Sequence, residues 1–158
     1  MVELEAARSL RTLLETRPVA ALGTLHRGDP AVSMVPFVLP AGETRLFIHV
    51  SALATHTHDM QWHPRVSLLV MAEPGADAPP QALPRVSLQA DARTLEHDDP
   101  DYAAAREAYL ARFPDAAQTF ELGDFSMVSL QPVSARLVAG FGRAYSLVGD
   151  SLVDWLRQ

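Results

Sequence analysis

Between Arg45 and Val70 the chain reads R-L-F-I-H-V-S-A-L-A-T-H-T-H-D-M-Q-W-H-P-R-V-S-L-L-V, a stretch in which hydroxyls and imidazoles gather. Leu46, Phe47, Ile48 and Val50 open it as a β-rich run. Ser51, Thr55, His56 and Thr57 then fall where that strand hands over to a short helical turn, which Pro64 ends. Backbone N–H groups at a helix start lack intrahelical partners and attract anions, so this spacing suggests a phosphate seat. For His56 and Thr57, ordinary helix capping stays equally open. His49, His56, His58 and His63 invite a metal reading. However, His49 belongs to a strand, and His56 and His58, two apart on a helix, face different ways, so no metal site is expected.

The remaining chemistry is mostly excluded. Cysteine is absent, which removes disulfides, thiolate catalysis, Fe–S clusters and thiolate zinc sites. No G-x-S-x-G occurs, and no helix is expected after A-G-F-G-R-A at 139–144, so neither a hydrolase elbow nor a dinucleotide fingerprint is present. Gly140 and Gly142 beside Arg143 permit either close backbone approach or a β-bulge. Trp62 and Trp155 read as packing residues. A net charge of −6 argues against a non-specific nucleic-acid binder or a polybasic membrane anchor. With no signal-peptide pattern and no apolar run of roughly 20 residues, a cytoplasmic protein is expected.

The elements that must position these residues follow from periodicity. Residues 2–16 predict an amphipathic helix with Ala6, Leu10, Leu13 and Leu14 on its apolar side. Strands are expected at 19–25 and 31–39, and a P-A-G-E hairpin leads into a third at 44–50. A strand at 66–71 and a mobile loop at 73–80 come next. Residues 85–95 alternate cleanly, with Val86, Leu88, Ala90 and Ala92 on one face. D-D-P-D at 98–101 caps a helical excursion over 100–120. Paired strands at 125–130 and 134–147, then a tail helix near 150–157 capped by Asp150 or Ser151, complete the chain. Val-Ser-Leu/Met recurs at 32–34, 66–68, 86–88 and 128–130, which fits apolar faces filling a small barrel. The 158 residues suffice for one such domain, mainly β with flanking helices (α+β): a six- to seven-stranded antiparallel split or Greek-key barrel.

Six segments carry a family resemblance: 32–37 (V-S-M-V-P-F), 46–57 (L-F-I-H-V-S-A-L-A-T-H-T), 63–70 (H-P-R-V-S-L-L-V), 85–90 (R-V-S-L-Q-A), 102–114 (Y-A-A-A-R-E-A-Y-L-A-R-F-P) and 135–144 (A-R-L-V-A-G-F-G-R-A). Their order and spacing resemble the FMN-binding split barrels related to pyridoxamine 5′-phosphate oxidase, most of all the HugZ-like branch linked to haem use. The resemblance implies a homodimer with cofactor in the cleft between two barrels. It implies Ser33, Met34 and Val35 along the flavin ring and Ser51, His56 and Thr57 at the ribityl phosphate. Arg65 and Ser67 would assist, Gln89 would reach the ring, and Arg143 would enter the cleft from late in the fold.

Two departures qualify it. The oxidases' Arg-Lys phosphate pair is replaced by Thr55-His56, and their C-terminal arginine and histidine substrate motif is missing, so pyridoxamine 5′-phosphate oxidase activity itself is not expected. Longer HugZ proteins carry a C-terminal haem-ligating histidine, whereas no histidine follows His97 here. The expectation is an FMN-binding oxidoreductase with no assigned catalytic residue. The alternative is a haem-binding or haem-degrading protein using the same cleft, with Arg143 at the propionates and His49 or His56 reaching iron. A flavin-binding sensory module without turnover is the third reading.

Overall fold

The computed structural model describes residues 2–75 and 77–158; Ala76, within the loop expected over 73–80, lies outside them. Seven strands form one antiparallel sheet. They are β1 (Val19–His26), β2 (Asp29–Pro36), β3 (Leu46–Ser51), β4 (Arg65–Met71), β5 (Arg85–Leu95), β6 (Phe125–Gly140) and β7 (Arg143–Val148). Their order is β2-β1-β4-β5-β6-β3, with β7 also pairing β6. The helices are α1 (Val2–Thr16), α2 (Thr55–Trp62), α3 (Tyr102–Arg112), α4 (Ala117–Phe120) and α5 (Gly149–Arg157). The sheet curls into a half-barrel flanked by helices, which is the split barrel expected from the strand pattern.

β6 makes the curl possible. Its first half lies between β5 and β3, and its second half between β5 and β7. The expected break between 130 and 134 does not occur. The register shift between Gln89 and Ala90 places Pro132 at a β-bulge, where a residue without an N–H leaves the ladder intact on either side. The real interruption is later, at Gly140-Phe141-Gly142, where both glycines adopt positive φ and turn the chain into β7. The third strand also differs from expectation. P-A-G-E does not close a β2–β3 hairpin, because β3 pairs β6. Only Val38 and Phe47 bridge the two segments, exchanging backbone hydrogen bonds of 3.0 and 2.9 Å.

The interior is filled by inward positions such as Leu22, Leu46, Ile48, Leu68, Leu88 and Leu137. β3 is buried on both sides. Leu46, Ile48 and Val50 face this core, while Phe47 faces a second cluster of Val38, Leu95, Ala105, Tyr109 and Met127 under α3. That double burial explains why its alternation is invisible in sequence. In β2 the phase inverts: Val32 and Met34 point outward, 76% and 61% exposed, and Ser33 points inward. The Val-Ser-Leu pattern there does not follow its repeats at β4 and β5.

The ends are fixed by polar contacts. Asp99 accepts the Asp101 N–H at 2.9 Å across Pro100, an Asx-type turn and not the helix cap expected of D-D-P-D: α3 starts only at Tyr102, with Asp101 at its cap and no side-chain bond there. α5 departs from expectation: neither Asp150 nor Ser151 caps it, and Val148 stands at the cap without a side-chain bond. Arg11, a charged residue in the amphipathic α1, is buried. It donates to the Leu156 carbonyl near the end of α5 and pairs Glu15. No described helix is long and apolar enough to cross a membrane.

Leu88 is fully buried at the middle of the sheet and Ser87 beside it faces out. Leu88→Ala should lose about 2–5 kcal/mol through transfer and cavity terms, measured by urea unfolding, while Ser87→Ala stays near wild type.

Candidate functional site

The structure sorts the expected site residues into separate groups. Ser33, Ser51, His56 and Thr57 meet around the start of α2. The Ser33 hydroxyl lies 3.2 Å from His56 Nδ1, and the Thr57 hydroxyl donates to the Ser51 carbonyl at 2.6 Å. Thr57 is buried, so its oxygen works as a bracket between β3 and α2. Ser51 Oγ accepts the Leu53 N–H at 3.1 Å. Burial lowers the His56 pKa against the opposing pull of Asp59, which favours the neutral ring near pH 7. The start of α2 therefore offers hydroxyls and a neutral imidazole, but no permanent charge. Arg65 does not supply one, since its guanidinium is committed to Asp91 at 2.6 Å.

Met34, Ser67 and Gln89 lie instead on the outward sheet face. The register sets Val32, Gly23, Ser67, Gln89, Ser134 and Val148 in one row across six strands. Met34, Ala21, Leu69, Ser87, Arg136 and Ser146 form the next. A Cβ on Gly23 would meet Ser67 Oγ at 2.3 Å, so glycine lets that hydroxyl lie flat on the sheet. Val35 contributes only backbone here, its side chain being in the core. Arg143 pairs weakly with Glu5 at 3.8 Å, on the opposite end of the sheet from α2. One protomer does not bring it to the others.

His49, expected as a possible iron ligand, is a structural residue. Its ring stacks on Phe120 at 3.7 Å, meets Tyr109 edge-on and lies against Phe125. Burial, aided by the charge of Arg106, lowers its pKa to about 4. Among the described residues no group of three or more potential ligands is placed to hold a metal ion by itself.

A further concavity joins Thr55, His58, Trp62 and His63, which the sequence named in other roles, to Leu25, His26, Arg27, Leu53 and Asp59, which it did not. Beside α2, Leu25, His26, Arg27, Leu53, Thr55, His58, Asp59, Trp62 and His63 line an open groove of about 630 Å³. Beneath it Asp59 is buried, accepting the Thr24 hydroxyl at 3.0 Å and facing His26 Nδ1 at 2.7 Å. Desolvation raises its pKa, but the hydrogen bonds from His26 and Thr24 and the two nearby imidazoles outweigh this and leave it lowered. Trp62 and Leu53, 81% and 85% exposed, form apolar walls. Trp62 is thus no packing residue, whereas Trp155 does pack, against Tyr145. His26 and Asp59 are 33 positions apart, so no local pattern announces them.

The groove suits a flat, largely apolar ligand with anionic edges better than a phosphate. It has apolar walls, imidazoles with ring nitrogens available to a metal, and Arg27 exposed at its rim. Haem has that shape and chemistry, so the residues present fit it.

Residues 7–139 match the family described as pyridoxamine 5′-phosphate oxidase. The chain is 33% identical over 150 residues to the chloroplastic non-canonical haem oxygenase HOZ of Arabidopsis thaliana, covering 93% of this chain and 44% of that protein. It thus spans less than half of the plant relative. It is 29% identical over 155 residues to the haem oxygenase HutZ of Vibrio cholerae, covering 98% and 84%. Among solved structures, a haem-binding protein from Mycobacterium smegmatis superposes with a TM-score of 0.83 at 34% identity, covering 94% of this chain and 60% of that one. These relatives overturn the FMN-dependent oxidoreductase expected from sequence. The physical reason is visible at α2, where neutral side chains stand in place of the fixed charges that would hold a flavin phosphate.

Because His49 is held neutral in the fold, its contribution to stability is complete above the unfolded-state value near 6.5 and is lost as pH falls toward about 4. His49→Phe, which keeps an aromatic ring against Phe120, should flatten that part of the stability-versus-pH curve. Thermal unfolding at pH 4.5 and 7.5 measures it; an unchanged slope would contradict the assignment.

Proposed function

The chain belongs to the pyridoxamine 5′-phosphate oxidase family, in its HugZ-like branch, and on that premise we propose that it binds and degrades haem in a cleft between two copies of itself. The observation that carries the reading is the apolar, imidazole-lined groove beside α2, in a chain whose relatives over nearly its whole length are named for haem.

The outward sheet face supports the second copy. Val32 and Met34 are the large apolar side chains that β2 leaves to solvent, and Leu69 and Val148 extend the same two rows. Exposed apolar side chains at the β2 edge, beside the polar Ser67, Gln89 and Ser134 of the same regular sheet face, form the kind of mixed surface that proteins cover with a partner. Leu25 shares the outward phase of β1 and also lines the groove, so the groove opens at the margin of that face. A second chain seated there would close the groove on one side and exclude water.

When bound, haem itself supplies the redox chemistry. This chain's residues would bind and orient it: Leu25, Leu53 and Trp62 would supply apolar contact, and Arg27 at the rim would offer a guanidinium to a propionate. Ser33 and His56 meet at the first turn of α2 as a neutral polar pair.

Haemin titration followed by visible absorption tests the reading. A saturable, shifted Soret band is expected, decaying when ascorbate and oxygen are supplied. Failure to take up haemin would overturn it. Met34→Arg should convert a two-chain species to single chains in size-exclusion light scattering and weaken haemin uptake with it.

A further inference from the structure

Six imidazoles are present, and they differ in what holds them. His49 is closed inside an aromatic cluster, and His56 shares a hydrogen bond with Ser33. His58 and His63 line the groove as exposed side chains, and His97 packs on Tyr102 away from it. His26 alone combines a groove position with a buried anchor. Its Nδ1 faces Asp59 Oδ1 at 2.7 Å, and the second Asp59 oxygen is fixed by the Thr24 hydroxyl at 3.0 Å. Thr24 and His26 share a face of β1, while Asp59 projects from α2, so two elements clamp one ring.

A carboxylate on Nδ1 has a specific consequence for the other nitrogen. It keeps the proton on Nδ1, leaves the Nε2 lone pair free, and makes the ring a stronger electron donor. The side chain is 45% exposed and lines the groove, with Nδ1 the ring nitrogen turned to Asp59.

We infer that His26 Nε2 is the axial ligand of haem iron in the groove beside α2, and that Asp59 is the positioning residue that sets its tautomer, orientation and donor strength. This rests on the haem reading above and adds the ligand to it. The turn at Arg27-Gly28, with φ of 52° and 86°, holds the end of β1 tightly and sets Arg27 next to the ligand. Leu25, Leu53 and Trp62 supply apolar surface around the same point.

The test uses the full chain, haemin as probe, and optical and resonance Raman spectra. Wild type should show histidine-ligated haem with an iron–histidine stretch in the ferrous state. His26→Ala and His26→Gln should lose that stretch and bind haemin about tenfold or more weakly, with added imidazole restoring the spectrum. Asp59→Asn should retain haem with the stretch at lower frequency, a change that loss of packing alone would not produce. His97→Ala should match wild type. Both His26 variants are checked for a native circular dichroism spectrum.

An unchanged iron–histidine stretch in folded His26 variants would overturn the assignment while leaving haem binding standing. Its loss in His58→Ala or His63→Ala but not in the His26 variants would do the same and transfer the role. Wild type that takes up no haemin would overturn both this assignment and the haem reading.

Discussion

A carboxylate taken out of water must be answered by donors, and the arrangement of the site follows from how Asp59 is answered. α2 has eight residues, no side-chain cap and little apolar surface of its own. Its place against β1 depends on Thr24 and His26 donating to Asp59, and on Thr57 reaching back to the Ser51 carbonyl. Those bonds fix the depth of the groove, because Trp62 and Leu53 are carried on the same short segment. Removing the Asp59 side chain altogether would therefore loosen α2 against β1 and release the His26 ring.

The half-barrel provides the rigid side of that clamp. β6 is shared by two parts of the sheet, so β1 and β3, which flank α2, are held in one hydrogen-bonded frame through β4, β5 and β6. The helical excursion of α3 and α4 covers the second face of β3 with aromatic rings, and His49 is absorbed there as one more ring. Burial that makes His49 useless as a ligand makes it useful as packing. Fold and site thus draw on the same residue type for opposite purposes, and surroundings decide which.

Neutral side chains at the start of α2 separate this chain from what its fold family first suggests. Thr55, His56 and Thr57 provide hydrogen-bonding groups without fixed charge, and the nearby Arg65 is neutralised by Asp91. The electrostatic means of holding a flavin phosphate are weak, while the adjoining groove is apolar and rich in imidazole. The change that weakens a phosphate seat leaves the apolar, imidazole-lined groove unaffected, since its lining does not depend on those positions carrying charge.

The sequence by itself determined the elements. Period 2 over 85–95 placed β5 to the residue, period 3.6 over 2–16 placed α1, and the number and shortness of the strands implied a barrel. These are local signals, set by which face of an element meets apolar surroundings. Local chemistry also identified the Ser33, Ser51, His56 and Thr57 neighbourhood, because three of the four lie within seven residues. Pairing partners were decided only by tertiary structure: β3 against β6, Pro132 absorbed at a bulge, Val32 and Met34 turned outward. So was the contact of His26 with Asp59 across 33 positions. Such contacts exist because a sheet brings distant residues side by side, and the energy of burying a carboxylate selects its donors after folding has placed them. Nothing in the neighbours of either residue encodes that meeting.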